Sequence, residues 1–339
     1  MDKRESGIDL LRCVALLFVV GVHSFLYNGF YYEDQVGALM WAADSARWLC
    51  YSCNCLFMML TGYLKSTKSW SKGYYRSLVP ILMGYLLCCA VSFPIRHFLL
   101  GEQLSFIEWL MKLVTFANYG WYVEMYIGLF LLSPFINIVL EKMKSPGQYA
   151  GFAGTMLFLT ALPSITDFDI IPDYWVALYP ITMYVLGAGI RRFRPNVPAW
   201  LAAVSALATV CGMGLVSLLC TDGDFGEGFS QGYGGFWVTL TGLSVFLAVY
   251  QVRLGKTLAP AVRWMAGGCF EGFLLSRLFD VWVYDAAPAA WREPDKYWLC
   301  FLAITLPVYF ASIVLGNLVH AGAVKLSGIL MQRKQPTQA

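Results

Sequence analysis

Apolar segments of about 20 residues recur along this 339-residue chain, with only short polar interruptions. A helix of that length crosses the ~30 Å hydrocarbon core of a bilayer, and each span must satisfy its backbone hydrogen bonds internally. The chain is 58% hydrophobic and 13% charged, which excludes a soluble domain of this size. We therefore predict an all-α polytopic membrane protein of about ten transmembrane helices, at residues 8–27, 41–64, 78–100, 119–141, 149–165, 174–190, 197–220, 233–252, 264–283 and 297–320.

The distribution of basic residues predicts the orientation of these spans. An even number of spans places both termini on one side, and most of the 24 lysines and arginines then fall in loops on that same side. Basic residues are retained in cytoplasmic loops, so both termini are predicted to be cytoplasmic. The domain organisation is one transmembrane domain over 1–325 followed by a short cytoplasmic tail, 326–339. Segment 105–117 is too short to cross and is predicted to be an interfacial helix on the outer side.

Two ionisable residues in the first span, Arg12 and His23, lie eleven positions apart. At about 100° per residue they share one helix face, about 16 Å apart along the axis. Ionisable side chains in a membrane are costly and commonly mark a functional site. A ligand touching both would be long and would enter from the cytoplasm. The alternative is structural: Arg12 pairs with Asp9 and reaches the headgroups, while His23 binds a backbone carbonyl.

Two further arginines are candidates for binding an anionic ligand. Arg76 precedes Pro80 at the cytoplasmic entry to the third span, where a guanidinium can clamp phosphate, although it also fits an ordinary positive-inside residue. Arg47 lies three residues after Asp44 in the second span, so the two charges can neutralise each other on one helix face. That pair is equally compatible with a purely structural role.

Carboxylates in two other spans complete the candidate set. Glu124 opens the fourth span at about the predicted depth of His23, where it could orient the imidazole during proton transfer. The ninth span holds Glu271, Arg277 and Asp280. Arg277 and Asp280 are a natural pair at i and i+3, whereas Glu271 needs a polar cavity or a basic partner on another helix.

The ten cysteines lie mostly in apolar segments, where a thiol behaves as a small hydrophobe. Cys50, Cys53 and Cys55 form the one cluster. Helical spacing spreads them over different faces, so we expect no metal site there.

In combination these motifs resemble the acyltransferase-3 family of membrane acyltransferases. The first span, IDLLRCVALLFVVGVHS, is similar to that family's arginine, ten residues, histidine signature. RSLVP over 76–80 resembles its R-x3-P motif, and Arg47 followed by LFMMLTGYL resembles its second-helix segment. The resemblance covers nearly the whole chain.

The resemblance implies a membrane O-acyltransferase that moves an acyl group, most often acetyl from cytoplasmic acetyl-CoA, to a hydroxyl of an extracytoplasmic carbohydrate or cell-envelope acceptor. It implies His23 as the catalytic histidine, with Arg12 and Arg76 on the donor's charged parts or on the developing oxyanion; Arg47 and Glu124 are added as supporting residues. One element departs from the family: Phe273-Leu274-Leu275-Ser276 has serine where many members have histidine.

A second resemblance implies a different function for the chain. WYVEMYIGLFLLSPFIN and FLLSRLFD are similar to the membrane portion of vancomycin-resistance serine racemases. The alternative function is therefore transport of a small polar solute such as L-serine.

Overall fold

Fifteen α-helices form the framework of the described part of the chain. The computed structural model describes residues 5–114, 121–165, 171–220, 225, 232–283 and 296–332. The helices are α1 (Ser6–Tyr27), α2 (Gly37–Tyr51), α3 (Cys53–Lys65), α4 (Lys72–Arg76), α5 (Val79–Phe98), α6 (Phe106–Val114), α7 (Trp121–Lys142), α8 (Pro146–Thr160), α9 (Tyr179–Phe193), α10 (Ala199–Cys220), α11 (Phe236–Val249), α12 (Leu258–Gly267), α13 (Cys269–Val283), α14 (Tyr297–Cys300) and α15 (Leu306–Gln332). Short 3₁₀ turns at Phe30–Tyr32, Leu162–Ser164 and Asp173–Leu178 and a π-helical turn at Phe301–Thr305 join them.

The all-helical membrane class is confirmed. Among the described residues, five helices are long and apolar enough to cross a membrane: Ser6–Tyr27, Lys72–Phe98, Trp121–Lys142, Ala199–Leu219 and Phe301–Met331. The count of ten spans stays a prediction. The final helix continues to Gln332, past the span end predicted at residue 320, while 333–339 of the predicted tail lie outside the described residues.

The second and the ninth predicted spans are each divided into two α-helices. The second is interrupted at Ser52, whose hydroxyl donates to the carbonyl of Leu49 at 2.7 Å and so competes with the helical ladder. The ninth is interrupted at Gly268, where a Cβ would come within 2.4 Å of the backbone nitrogen of Asn317 in α15. This glycine lets the two backbones touch, as small residues do in membrane helix pairs.

Glycines also allow α3 and α9 to cross in close contact. A Cβ at Gly62 would lie 2.0 Å from the carbonyl oxygen of Tyr184, and one at Gly187 would lie 1.9 Å from that of Met59. Larger residues at these positions would force the helices apart. The crossing holds α3 against the centre of the bundle, where it lines both cavities described below.

Several predicted cytoplasmic ends meet at one end of the bundle. Glu5 accepts hydrogen bonds from Tyr63 at the end of α3 (2.5 Å) and from Arg194 after α9 (2.6 Å). Burial opposes ionisation, but these bonds and the charges of Arg194 and Arg191 together hold the pKa of Glu5 below its ordinary value. Asn137 in α7 donates to the carbonyl of Lys65, and so ties a further helix end to this group.

Candidate active site

Two cavities open along the same face of α1. The larger, of about 420 Å³, contains Arg12 in its wall, and the smaller, of about 60 Å³, contains His23. The two side chains therefore share one helix face, as their spacing predicts, but each belongs to a separate space. We call these the Arg12 cavity and the His23 chamber.

An aromatic pair separates the two spaces. Tyr122 of α7 and Phe273 of α13 line both the Arg12 cavity and the His23 chamber. Their rings meet edge to face with centroids 5.2 Å apart, and Phe57 packs against Tyr122 at 5.7 Å. This partition, Tyr122 with Phe273, is the boundary that a ligand reaching from Arg12 to His23 would have to pass.

Four helices, α1, α3, α7 and α13, contribute residues to both spaces: one part of each helix lines the Arg12 cavity and another part lines the His23 chamber. In α13, Glu271 lines the Arg12 cavity, Phe273 lies at the partition, and Arg277 lines the His23 chamber. In α3, Asn54 lines the chamber and Thr61 the cavity. α1 and α7 follow the same order. The two spaces therefore lie at successive levels between the same four helices.

Arg12 is partly exposed to the larger cavity and pairs with a buried acid. Its Nη1 lies 3.5 Å from Oδ1 of Asp9, as expected for i and i+3, and 31% of its side chain is accessible. The predicted pairing is confirmed, and it fixes one side of the guanidinium. The accessible side can donate to an anionic ligand in the cavity.

The His23 chamber is lined by both polar and aromatic residues. Asn54 and Arg277 line it beside His23. Tyr233 is stacked between Tyr51 (4.3 Å) and Trp121 (4.8 Å), and Trp121 is 48% exposed. A histidine with a cation in one small cavity is suited to proton transfer with stabilisation of developing negative charge.

Arg277 and His320 are the cavity residues whose placement the sequence did not indicate. Arg277 lines the His23 chamber. Its pairing with Asp280 stays a prediction, because the side chain of Asp280 lies outside the described residues. His320 of α15 lines the Arg12 cavity, with Nδ1 3.0 Å from Oε1 of Glu271. Glu271 thus has the polar cavity and the interhelical partner that a lone buried acid requires. A histidine within an apolar segment was the only available signal for His320.

Arg47 lies in an aromatic box and lines neither cavity. It is 2% exposed, and its Nε donates to the hydroxyl of Tyr31 at 3.1 Å. Its guanidinium carbon lies 4.0 to 5.5 Å from the ring centroids of Trp48, Tyr51, Phe225 and Tyr31. Asp44 is within electrostatic range of Arg47 and accepts from the indole of Trp48 at 3.2 Å. This setting holds α2 against Phe225, a residue of a predicted outer loop, through cation–π contacts.

Arg76 and Glu124 are exposed, and neither lines the Arg12 cavity or the His23 chamber. Arg76 ends α4, one turn before Pro80, which does line the Arg12 cavity. Glu124 lies on α7 two residues after Tyr122, and the structure does not bring it into the lining around His23.

The three clustered cysteines are buried free thiols. Within the described ranges, no group of three or more histidine, cysteine or acidic side chains has an arrangement that could hold a metal ion.

Comparison with known proteins bears on almost the whole chain. A protein-family model described as an acyltransferase domain, Acyl_transf_3, matches residues 5–317. No curated protein and no solved structure matches the chain.

Proposed function

We propose a specific reaction for this chain from one premise: it belongs to the acyltransferase-3 family, and is a membrane acyltransferase that transfers groups other than aminoacyl groups. The reaction is transfer of an acetyl group from cytoplasmic acetyl-CoA to a hydroxyl of an extracytoplasmic carbohydrate or cell-envelope acceptor. The observation that carries it is the arrangement of Arg12 and His23 in two successive spaces on one face of α1.

The proposed donor enters the Arg12 cavity from the cytoplasmic side. Arg12 binds its phosphates, and Arg76, one turn before the cavity residue Pro80, binds them at the entrance. The thioester end then passes Tyr122 and Phe273 to reach His23. This direction follows from the predicted topology, in which both termini and the Arg12 end of α1 are cytoplasmic.

His23 acts as general base in the proposed transfer. It accepts the proton of the acceptor hydroxyl as the oxygen attacks the thioester carbonyl, which produces a tetrahedral intermediate with an oxyanion. Arg277 stabilises that oxyanion in the small chamber. The carbon–sulfur bond then breaks, and the CoA thiolate takes the proton from imidazolium, so that His23 returns to its neutral form.

The dimensions of the chamber favour a short acyl group. About 60 Å³ must hold both the reacting acyl group and the acceptor hydroxyl. A single water needs about 10–15 Å³ of space measured in this way, so acetyl and one hydroxyl fill most of the chamber. Longer chains would collide with the residues that line the chamber.

The surface above the chamber suits a sugar ring. Trp121 uses one face to stack on Tyr233 and exposes about half of its area. An exposed indole beside a polar pocket can pack against the apolar face of a sugar while its hydroxyl reaches His23. A neutral glycan or glycolipid is therefore the proposed acceptor class.

The test uses purified protein, radiolabelled acetyl-CoA and a cell-envelope extract. Wild-type protein should transfer label to the extract. His23→Ala should abolish transfer but retain donor binding, Arg12→Ala should weaken donor binding, and Arg277→Ala should lower kcat by about 10²–10³-fold. His97→Ala is the matched control, because His97 lines neither space.

Wild-type turnover by His23→Ala would show that the assigned base is wrong. If the protein is inert towards acetyl-CoA and other acyl donors but takes up labelled L-serine in proteoliposomes, the transport alternative replaces acetyl transfer.

A further inference from the structure

Glu271 is a buried acid in the wall of the Arg12 cavity that the proposed transfer does not use. It is 3% exposed, and its Oε1 lies 3.0 Å from Nδ1 of His320. Its other oxygen, Oε2, is buried and receives no hydrogen bond from any residue that the structure describes. A buried acceptor without a donor costs free energy, and a ligand in the cavity that supplies the donor would recover this free energy.

The fold makes room for this carboxylate. A Cβ at Gly84 of α5 would lie 2.6 Å from Oε1 of Glu271. His320, from the facing helix α15, is partly exposed and reaches the same oxygen from the cavity side. Glycine on one side and histidine on the other leave Oε2 as the oxygen with hydrogen-bonding capacity to spare.

The surroundings of Glu271 define the chemistry of the group it can bind. A carboxylate repels phosphate, so the charged end of a donor lies against Arg12 instead. The neighbouring wall is apolar and aromatic, with Phe270, Phe273 and Leu60. The group at Glu271 must therefore not be anionic and must be able to donate an N–H or O–H, and the apolar neighbours favour one that is uncharged and partly apolar.

We infer that the carboxylate of Glu271 turns Oε2 towards the cavity when the donor binds, and that Oε2 then accepts a hydrogen bond from an amide N–H of the donor's pantetheine arm. This inference rests on the proposed function, in which acetyl-CoA occupies the Arg12 cavity. The arm is the uncharged part of the donor between its phosphates and its thioester. Glu271 lies two residues before the partition residue Phe273, between the anion-binding end and the His23 chamber, where the arm must pass.

The experiment compares acetyl-CoA with S-acetylpantetheine, which keeps the arm but lacks the nucleotide and its phosphates. Glu271→Met removes the acceptor at similar length, and Glu271→Gln retains a neutral acceptor. We expect Glu271→Met to raise KM for both donors by about 10- to 100-fold with little change in kcat. Glu271→Gln should recover part of this loss, whereas Arg12→Ala should raise KM for acetyl-CoA only.

A second measurement leaves the protein unchanged. S-acetylpantetheine methylated at the contacted amide nitrogen should lose the same factor on wild-type protein and nothing further on Glu271→Met. This keeps the inference testable if Glu271→Met fails to fold.

Three outcomes would overturn the inference. An unchanged KM in Glu271→Met excludes the contact, and a penalty confined to acetyl-CoA places Glu271 on the nucleotide. A loss in kcat that Glu271→Gln shares would indicate proton transfer. Failure of the proposed function is distinct, because wild-type protein would then use neither donor.

Discussion

Replacement of Phe273 by alanine should relax the selectivity for acyl chain length. Phe273 is the residue of α13 that lines both the Arg12 cavity and the His23 chamber, and its ring packs on Tyr122. Phe273→Ala removes that ring and joins a space of about 60 Å³ to one of about 420 Å³. The acyl group would then no longer be confined to the chamber.

The expected magnitude follows from the two methylenes that distinguish butyryl from acetyl. Each methylene that a pocket cannot hold costs about 1–3 kcal/mol, or 10- to 200-fold in kcat/KM. Wild-type protein should therefore prefer acetyl-CoA over butyryl-CoA by about 100-fold or more. In Phe273→Ala the preference should fall below about 10-fold, because the space left by the ring can hold both extra methylenes.

The assay is kcat/KM for the two donors at a fixed acceptor concentration, with thermal melting to check folding. Phe273 is half-buried, so its truncation should cost about 2 kcal/mol of stability, roughly half the value for a fully buried phenylalanine. Phe270→Ala is the matched control, since Phe270 lines only the Arg12 cavity.

An acetyl preference that is unchanged in Phe273→Ala would refute the partition as the determinant of chain length. Equal relaxation in Phe270→Ala would show that a general loosening of α13, rather than the opened partition, changes selectivity.

Three further predictions test the packing and charges around the site. Because the pKa of Glu5 is lowered in the fold, its carboxylate stabilises the protein fully above its ordinary pKa of 4.5, and this stabilisation is lost as pH falls through the folded-state value. Glu5→Gln should therefore lose less melting temperature between neutral and acidic pH than the wild type. Equal losses of melting temperature in the two proteins would contradict this role. Gly187→Ala should cost about 1–3 kcal/mol in thermal or denaturant unfolding, whereas Gly151→Ala, which meets open space, should cost nothing. Gly84→Ala should displace the Glu271 carboxylate and raise the donor KM, and an unchanged KM would count against the proposed amide contact.

Relations within one helix were predictable from the sequence because helical geometry alone determines them. The shared face of Arg12 and His23 follows from eleven residues at about 100° each, and the contact between Arg12 and Asp9 follows from an i, i+3 spacing. The breaks at Ser52 and Gly268 were not predicted, since each depends on a local competing hydrogen bond or on how closely a neighbouring backbone approaches.

Contacts between helices could not be predicted from the sequence, because they depend on how side chains that are far apart in the chain pack together. Glu271 and His320 are separated by 49 residues and meet only because α13 and α15 cross closely at their glycines. Arg277 illustrates the same limit, because its place in the lining of the His23 chamber depends on how α13 is oriented against the other helices.

The serine at position 276 shows how packing changes the meaning of a missing motif residue. Ser276 is fully buried and donates to the carbonyl of Phe273 in its own helix, so it contributes to neither cavity. His320 reaches the Arg12 cavity from α15 instead and contacts α13 through Glu271. Although α13 has serine rather than histidine at position 276, α15 still supplies an imidazole to the Arg12 cavity. What the sequence could not indicate is that His320 would reach this cavity, because that depends on the register between α13 and α15.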